Sequence, residues 1–174
     1  MEIEQLVKKA QNKNDDAFNE LISIHKVQLY KIAFSYFKNE QDSLEAIQEV
    51  TYRAFIKIKK LKNPQYFSTW LIRILLNYCN DELKRKKRAE VNEFETSVQQ
   101  DENKILTKID LEKMVNLLDP KYQEVIKLKY VHDLTIPQIA EVVESPEGTV
   151  KTWLNKSLKL LRKQMKRKGG SFDV

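Results

Sequence analysis

Two helix starts placed close together between Leu134 and Leu154 constrain this chain more than any other feature. Thr135 is followed three residues later by Gln138. That is the spacing of a capping box, in which the hydroxyl and the amide each satisfy a backbone N–H at the helix entrance. Ser145 precedes Pro146, so a serine can cap a second helix whose first position is a proline, where a missing N–H costs nothing. Only a few residues lie between the two helices, enough for a tight turn. The second helix has two faces. Val150, Leu154, Leu158, Leu161 and Met165 recur at spacings of three and four and point into a core. Lys151, Thr152, Asn155, Lys156, Lys159, Arg162 and Lys163 fall mostly opposite, and Pro146 to Lys168 holds eight Lys or Arg against one acid, Glu147. A basic helical face by itself is usually a solvated one. Here the capped first helix, the tight turn and the small Gly148-Thr149 entry complete a helix-turn-helix, which lays such a face in the major groove of duplex DNA.

The rest of the chain is helical by the same criterion, with no convincing alternation of the kind a strand requires. The spacing predicts a first helix from Ile3 to Gln11 and a long second one opening near Asp15. The second buries Phe18, Leu21, Ile22, Leu29, Ile32, Ala33 and Tyr36. A third begins near Asp42 with Ile47, Val50, Ala54 and Ile58 on one face. After Asn63-Pro64 a fourth turns Trp70, Leu71, Ile74, Leu75 and Tyr78 inward and ends in five consecutive cations, Lys84 to Arg88. Composition then shifts. Residues 89–108 carry five acids against two lysines, are rich in Gln, Asn, Ser and Thr, and read as a flexible acidic linker. Residues 1–88 have a net charge of +6 and residues 109–174 of +3. The second half resumes with Ile109, Met114, Val115 and Leu118, then a helix from Asp119-Pro120 carrying Tyr122, Val125, Ile126 and Tyr130. The expectation is an all-α chain: two small helical domains, 1–88 and 109–174, on an acidic tether.

Composition removes several function classes. Gly148, Gly169 and Gly170 are the only glycines, so no Gly-rich loop can cradle a nucleotide phosphate. The single Cys79 cannot form an internal disulfide, which makes a reducing cytoplasm the default location. Neither a signal segment nor an apolar run of membrane-spanning length stands out, so no direct membrane insertion is expected. An enzyme would have to draw on His25, His132 and Cys79, which are widely separated and lack metal-ligand or nucleophile spacing. No cofactor, metal or small-molecule substrate is expected. A net charge of +6 suits nucleic acid.

The first half carries two further patterns. Tyr66, Phe67, Trp70, Asn77 and Tyr78 lead into the Lys84–Arg88 cluster. Aromatics that stack on unpaired bases beside cations that hold phosphates are how proteins grip single strands. Trp70 fits better as core, whereas Tyr66 and Phe67, after Pro64, fit either role. Glu45, Gln48 and Glu49 share one edge of the third helix. An acidic and amide edge on a basic protein suits either solvent or a docked protein.

Together these residues resemble the extracytoplasmic-function (ECF, group 4) sigma factors of bacterial RNA polymerase, of the sigma-70 family. Glu45-Ala46-Ile47-Gln48-Glu49-Val50 is similar to the segment whose polar edge binds the β′ clamp helices. Trp70-Leu71-Ile72-Arg73-Ile74, with Asn77, Asp81, Leu83 and Lys84 to Arg88, resembles the region that melts and reads the −10 element. Gly148-Thr149-Val150-Lys151-Thr152 matches the entry of the −35 reading helix. The resemblance implies a winged-helix-like, sigma-region-4 second domain and a promoter-specificity subunit without catalysis. Its partners would be core polymerase (β′ clamp helices and β flap), promoter DNA and an anti-sigma factor that could hold it at the membrane. It implies polymerase contacts from Glu45, Gln48 and Glu49, and −10 contacts from Asn63, Tyr66, Phe67, Arg73, Asn77, Lys84, Arg85 and Arg88. Thr149, Lys151, Thr152, Asn155 and Lys156 would reach the −35 element, with Lys159, Arg162 and Lys163 nearer its phosphates. A stand-alone helix-turn-helix regulator is the rival, sharing the DNA but not the polymerase. The chain departs from the family pattern at Glu45 (usually Asp), Leu75-Leu76 (commonly Ala-Arg), Pro137 (an acid), Glu144 (often Gly), and Trp153 and Lys156 (frequent arginines).

Overall fold

The computed structural model of the protein describes residues 3–92 and 108–167, and among these there is no strand. The helices are α1 (Ile3–Gln11), α2 (Asp15–Phe37), α3 (Glu40–Lys57), α4 (Phe67–Asn92), α5 (Lys108–Asn116), α6 (Pro120–Ile126), α7 (Ile136–Val142) and α8 (Glu147–Arg167). Short 3-10 turns at Ile58–Lys60 and Pro64–Tyr66 join α3 to α4, and a π-helical turn, Lys127–Val131, follows α6. The chain divides into two compact units, α1–α4 and α5–α8.

Local chemistry sets the breaks in the first unit. The Asn14 side chain accepts the Ala17 N–H at 2.8 Å, and Asp15 and Asp16 face the positive end of the α2 dipole. α2 stops where Lys38 turns left-handed (φ 59°) and its N–H reaches the Phe34 carbonyl. The next residue, Asn39, already caps α3 by accepting the Asp42 N–H at 2.9 Å. α2 and α3 therefore meet through a two-residue joint and pack on each other. Fully buried Ala33, Ser43, Ala46 and Ala54 keep their side-chain volume small. α1 and α4 complete a core of Leu6, Val7, Leu21, Leu29, Ile32, Val50, Phe67, Leu71 and Leu75. The Gln11 amide donates to the carbonyls of Ile58 and Leu61 (3.0 and 2.8 Å), tying the end of α1 to the turn that follows α3.

Three expectations about the first half change. α4 packs against α1, α2 and α3, so its apolar face is broad and centred on Phe67, Leu71, Ile72, Leu75, Leu76 and Cys79. Trp70, Ile74 and Tyr78 lie at its margin, half-buried, as do Ile22 and Tyr36 on α2. α4 also continues to Asn92, so the boundary at residue 88 falls inside a helix and the first four linker residues are helical. Residues 93–107 of that linker, including Glu93, Glu95, Asp101, Glu102 and Lys104, lie outside the described residues, and its last residue, Lys108, opens α5.

In the second unit the capping box is present: the Thr135 N–H donates to Gln138 Oε1 (2.9 Å) and the Gln138 N–H to the Thr135 hydroxyl (3.4 Å). Pro137 stands in the first turn of α7, where its missing N–H breaks no bond. Glu144 takes the left-handed conformation (φ 52°) that the turn demands and that a glycine would adopt without strain. Ser145 does not cap α8. The helix opens one residue later than the sequence suggests, with the Val150 N–H bonded to Pro146, while the Ser145 hydroxyl donates back to the Val143 carbonyl at 3.3 Å. Tyr130 also turns outward, at 56% exposure, although α6 spacing predicts it inside. The π turn adds residues to the helical circuit and shifts the phase, so Leu128 takes the core place.

Candidate nucleic-acid interface

α8 divides its residues between core and solvent, with Leu158 and Met165, expected inside, only half-buried beside Trp153 and Leu160. Val150, Leu154, Ser157 and Leu161 are buried, whereas Lys151, Thr152, Asn155, Lys156, Lys159, Arg162 and Lys163 are all exposed and Thr149 is half-buried at the entrance. The Thr152 hydroxyl donates to the Gly148 carbonyl at 2.9 Å, and the side chain stays exposed. Gly148 is exposed, and a Cβ there would meet nothing within 4 Å. Its lack of a side chain serves no packing inside the chain; it leaves room for something outside. Toward the end of α8, Lys159, Arg162 and Lys163 line a shallow groove with Lys166 and Arg167, so the basic face runs further than the sequence pattern selects.

In the first unit the α4 cations sort into two groups. Arg85 is held by the Glu82 carboxylate on the same helix, and Lys86 by Asp42 on α3. Each lysine or arginine holds its acid's carboxyl below the usual range. The other group, Lys84, Lys87 and Arg88, shares a shallow groove with Val91. These residues are spaced i, i+3, i+4 and i+7, so they form one stripe. Lys87 is therefore legible in the sequence from its spacing to Lys84, and Arg85 points to a carboxylate.

The loop before α4 requires a correction. Asn63 and Tyr66 are exposed, but Phe67 is fully buried as the first residue of α4 and cannot offer its ring to a base. It sits 5.4 Å from the His25 ring and 5.8 Å from that of Trp70. His25 is also buried, with Nδ1 2.7 Å from the Leu21 carbonyl and Nε2 2.5 Å from the Ser68 hydroxyl. Asn77 is exposed and Arg73 half-exposed on the outer side of α4.

The acidic and amide edge of α3 is on the surface. Glu45 and Gln48 are exposed, and Glu49 accepts from Arg53 at 2.7 Å. Arg53 in turn lies 5.2 Å over the Tyr78 ring on α4. Burial, with the nearby carboxylates of Glu82, Glu45 and Glu49, pushes the Tyr78 hydroxyl pKa up. Around this edge Leu44, Tyr52, Phe55 and Ile56 are also exposed, and Gln48 lines a groove between α2 and α3 with Leu44, Tyr52 and Phe55. Exposed apolar side chains rimmed by polar ones favour a protein partner over DNA. These four escape a reading of spacing because a partly apolar outer face looks in sequence like part of the core stripe.

The candidates for enzymatic chemistry are dispersed. Cys79 is buried, and burial pushes its thiol up to about 12. His132, in the other unit, is desolvated and pushed down to about 4. Among the described residues no group of His, Cys, Asp and Glu could hold a metal ion.

Comparison with known proteins joins these surfaces. The Sigma-70 region 2 family matches residues 21–89, and the Sigma-70 region 4 family matches residues 108–161. RNA polymerase sigma factor SigV of Bacillus subtilis is 32% identical over 146 residues, covering 83% of this chain and 88% of its own. The chain belongs to the extracytoplasmic-function sigma factors. ECF RNA polymerase sigma factor SigW of the same organism is 29% identical across 95% of this chain and 98% of its own. Two solved structures share the fold. One is CnrH in complex with the cytosolic domain of CnrY, with a TM-score of 0.71 at 23% identity, covering 95% of this chain and 97% of that one. The other is RpoE of Bartonella quintana in complex with the anti-sigma factor NepR, with a TM-score of 0.64 at 18% identity, covering 86% of this chain and 96% of that one.

This sigma factor is thus a promoter-specificity subunit of RNA polymerase, and the stand-alone regulator is not favoured. Region 2 corresponds to most of α2 together with α3 and α4, and region 4 to α5 through most of α8. Leu75 and Leu76, where the family commonly has Ala-Arg, are both buried, so this sigma factor uses that turn of α4 for its core. No described helix is long and apolar enough to cross a membrane.

Proposed function

We propose that this sigma factor docks on core polymerase through α3 and reads its promoter through α4 and α8. Glu45, Gln48 and Glu49, with the apolar groups around them, would meet the β′ clamp helices, and region 4 the β flap. Asn63 and Tyr66 would face the opening −10 element, with Arg73 and Asn77 along α4 and phosphates on the Lys84, Lys87 and Arg88 stripe. Arg85 contributes less, being neutralised by Glu82. Unpairing a few base pairs costs a few kcal/mol, which stacking and phosphate contacts offset. On α8, Lys151, Thr152 and Asn155 turn toward base edges at the entrance from Thr149, with Lys156 beside them and Lys159, Arg162 and Lys163 nearer the backbone.

The observation that carries this reading is the division of α8. Val150, Leu154 and Leu161 are consumed by the core, while seven polar or cationic residues from Lys151 to Lys163 and an unhindered Gly148 are left to the outside. We further propose that the protein acts in the cytoplasm, has no catalytic chemistry of its own, and is held by an anti-sigma factor, as the similarly folded RpoE of Bartonella quintana has been co-crystallised with the anti-sigma factor NepR.

In vitro transcription with core polymerase on a promoter library tests the assignment. Asn155→Ala should shift preference at one −35 position by about 1–3 kcal/mol. Lys163→Ala should weaken all sequences alike and flatten the salt dependence. Equal losses on every promoter from Asn155→Ala would refute base reading by α8, and tight promoter binding without core polymerase would restore the stand-alone regulator.

A further inference from the structure

Four side chains at the junction of α6 and α8 are arranged in a way that region 4 packing alone does not require. The Lys121 ammonium, in the first turn of α6, lies 5.1 Å from the centroid of the Tyr122 ring and 5.8 Å from that of Trp153 on α8. The Lys156 ammonium, three residues beyond Trp153, lies 5.6 Å from the same Tyr122 ring. Tyr122 is only 5% exposed, so its ring is a fixed platform, whereas both lysines are on the surface. Among the described residues neither ammonium meets a carboxylate. Two like charges are thus gathered on one aromatic base. Ring attraction to each is modest and their mutual repulsion opposes it, so an anion bound between them would stabilise the arrangement.

We infer that Lys121 and Lys156 form a two-helix seat for one backbone phosphate of the −35 duplex, with Tyr122 and Trp153 as positioning residues. The inference rests on the proposed entry of α8 into that major groove. It assigns Lys156 to the backbone, leaving base reading to Lys151, Thr152 and Asn155. It adds Lys121, which lies outside the helix-turn-helix, to the interface. It also accounts for tryptophan at position 153: its ring extends the Tyr122 platform and gives the Lys121 ammonium a second face to rest on.

The test uses holoenzyme bound to promoters randomised through the −35 element, sequenced at several salt concentrations. Lys121→Ala and Lys156→Ala should each reduce occupancy several-fold on all sequences, leave base preferences unchanged and lower the salt slope by about one. The double variant should lose little more than either alone, because one phosphate is involved. Trp153→Phe should retain most of the occupancy, and Trp153→Ala should behave like Lys121→Ala. A changed preference at one base position in Lys156→Ala would overturn the assignment, as would an unaltered salt slope in Lys121→Ala or a doubled slope loss in the double variant. Asn155→Ala separates the two levels. If it too leaves preferences untouched, the placement of α8 on the −35 element fails; if it shifts them, any failure belongs to the seat alone.

Discussion

Lys86, in the basic run of α4, donates to the Asp42 carboxylate in the first turn of α3, and its ammonium lies 5.6 Å over the Phe37 ring at the end of α2. One cation from the proposed DNA-binding cluster thereby fastens three helices. Lys86 and the Asn39 amide hold the Asp42 carboxyl below its ordinary value of 3.8. A lowered folded-state pKa contributes stability above the unfolded value, lost as pH falls through the folded one. Both side chains are partly solvated, so the contribution at neutral pH should be about 1 kcal/mol or less. Urea unfolding should show Asp42→Asn less stable than the parent at pH 7 and the gap narrowing below about pH 4. A gap that does not narrow as pH falls below about 4 would mean that the ion pair is not its source.

Phe67 and Tyr66 are adjacent but should respond oppositely to truncation. Phe67 is fully buried against His25 and Trp70, so Phe67→Ala should cost about 3–5 kcal/mol of stability. Tyr66 is 41% exposed, so Tyr66→Ala should change stability by about 1 kcal/mol or less while slowing promoter opening. Thermal unfolding and permanganate footprinting of the open complex would separate the two effects.

The same pair shows what the sequence can and cannot convey. Pro64 and two successive aromatics signal the end of a loop, but a ring at a helix entrance has the same one-letter code whether it faces core or solvent. Only the packing of α2 against α4 decides that Phe67 goes in. Helix boundaries set by side-chain chemistry, such as the Thr135–Gln138 box, are legible residue by residue. Ser145 is not, because its hydroxyl has a competing acceptor in the Val143 carbonyl. Tyr130 escapes a periodicity argument because a π turn leaves no spacing signature of its own. The basic face of α8 is legible as far as Lys163, but the pairing of Arg85 with Glu82 and the gathering of Lys121 with Lys156 depend on rotamers and neighbours.

Gly148 should separate stability from function. It lies in the first turn of α8 with nothing within 4 Å of the place a methyl group would take, so Gly148→Ala should leave the fold intact and stabilise it by up to about 1 kcal/mol. The same methyl would project where a DNA backbone is proposed to approach, and promoter occupancy should fall. Calorimetry paired with transcription from a −35-dependent promoter would reveal the opposed signs. A rise in both would place DNA away from the α8 entrance.

Cys79 should be silent toward thiol reagents. With its thiol buried and pushed up to about 12, native protein at pH 8 should resist iodoacetamide, whereas protein in denaturant should be alkylated quickly. Mass spectrometry of quenched samples would report this, and rapid native labelling would indicate local opening of α4.

The α3 edge calls for a test that respects its internal bonds. Glu49 is paired with Arg53, which rests on the Tyr78 ring of α4, so Glu49→Ala would disturb the α3–α4 junction as well as any docking contact. Gln48 and Leu44 carry no such complication: both are exposed and both line the groove between α2 and α3. Combining Gln48→Ala with Leu44→Ala should therefore weaken holoenzyme assembly, by about 1–3 kcal/mol if these residues lie near the centre of the contact. Urea stability should be nearly unaltered because neither side chain contributes to the core. Glu49→Ala alone should lower stability as well, and Arg53→Ala should reproduce that loss if the ion pair and the ring contact act together. Normal assembly by the Gln48/Leu44 double variant in a titration against core polymerase would remove this groove from the docking surface.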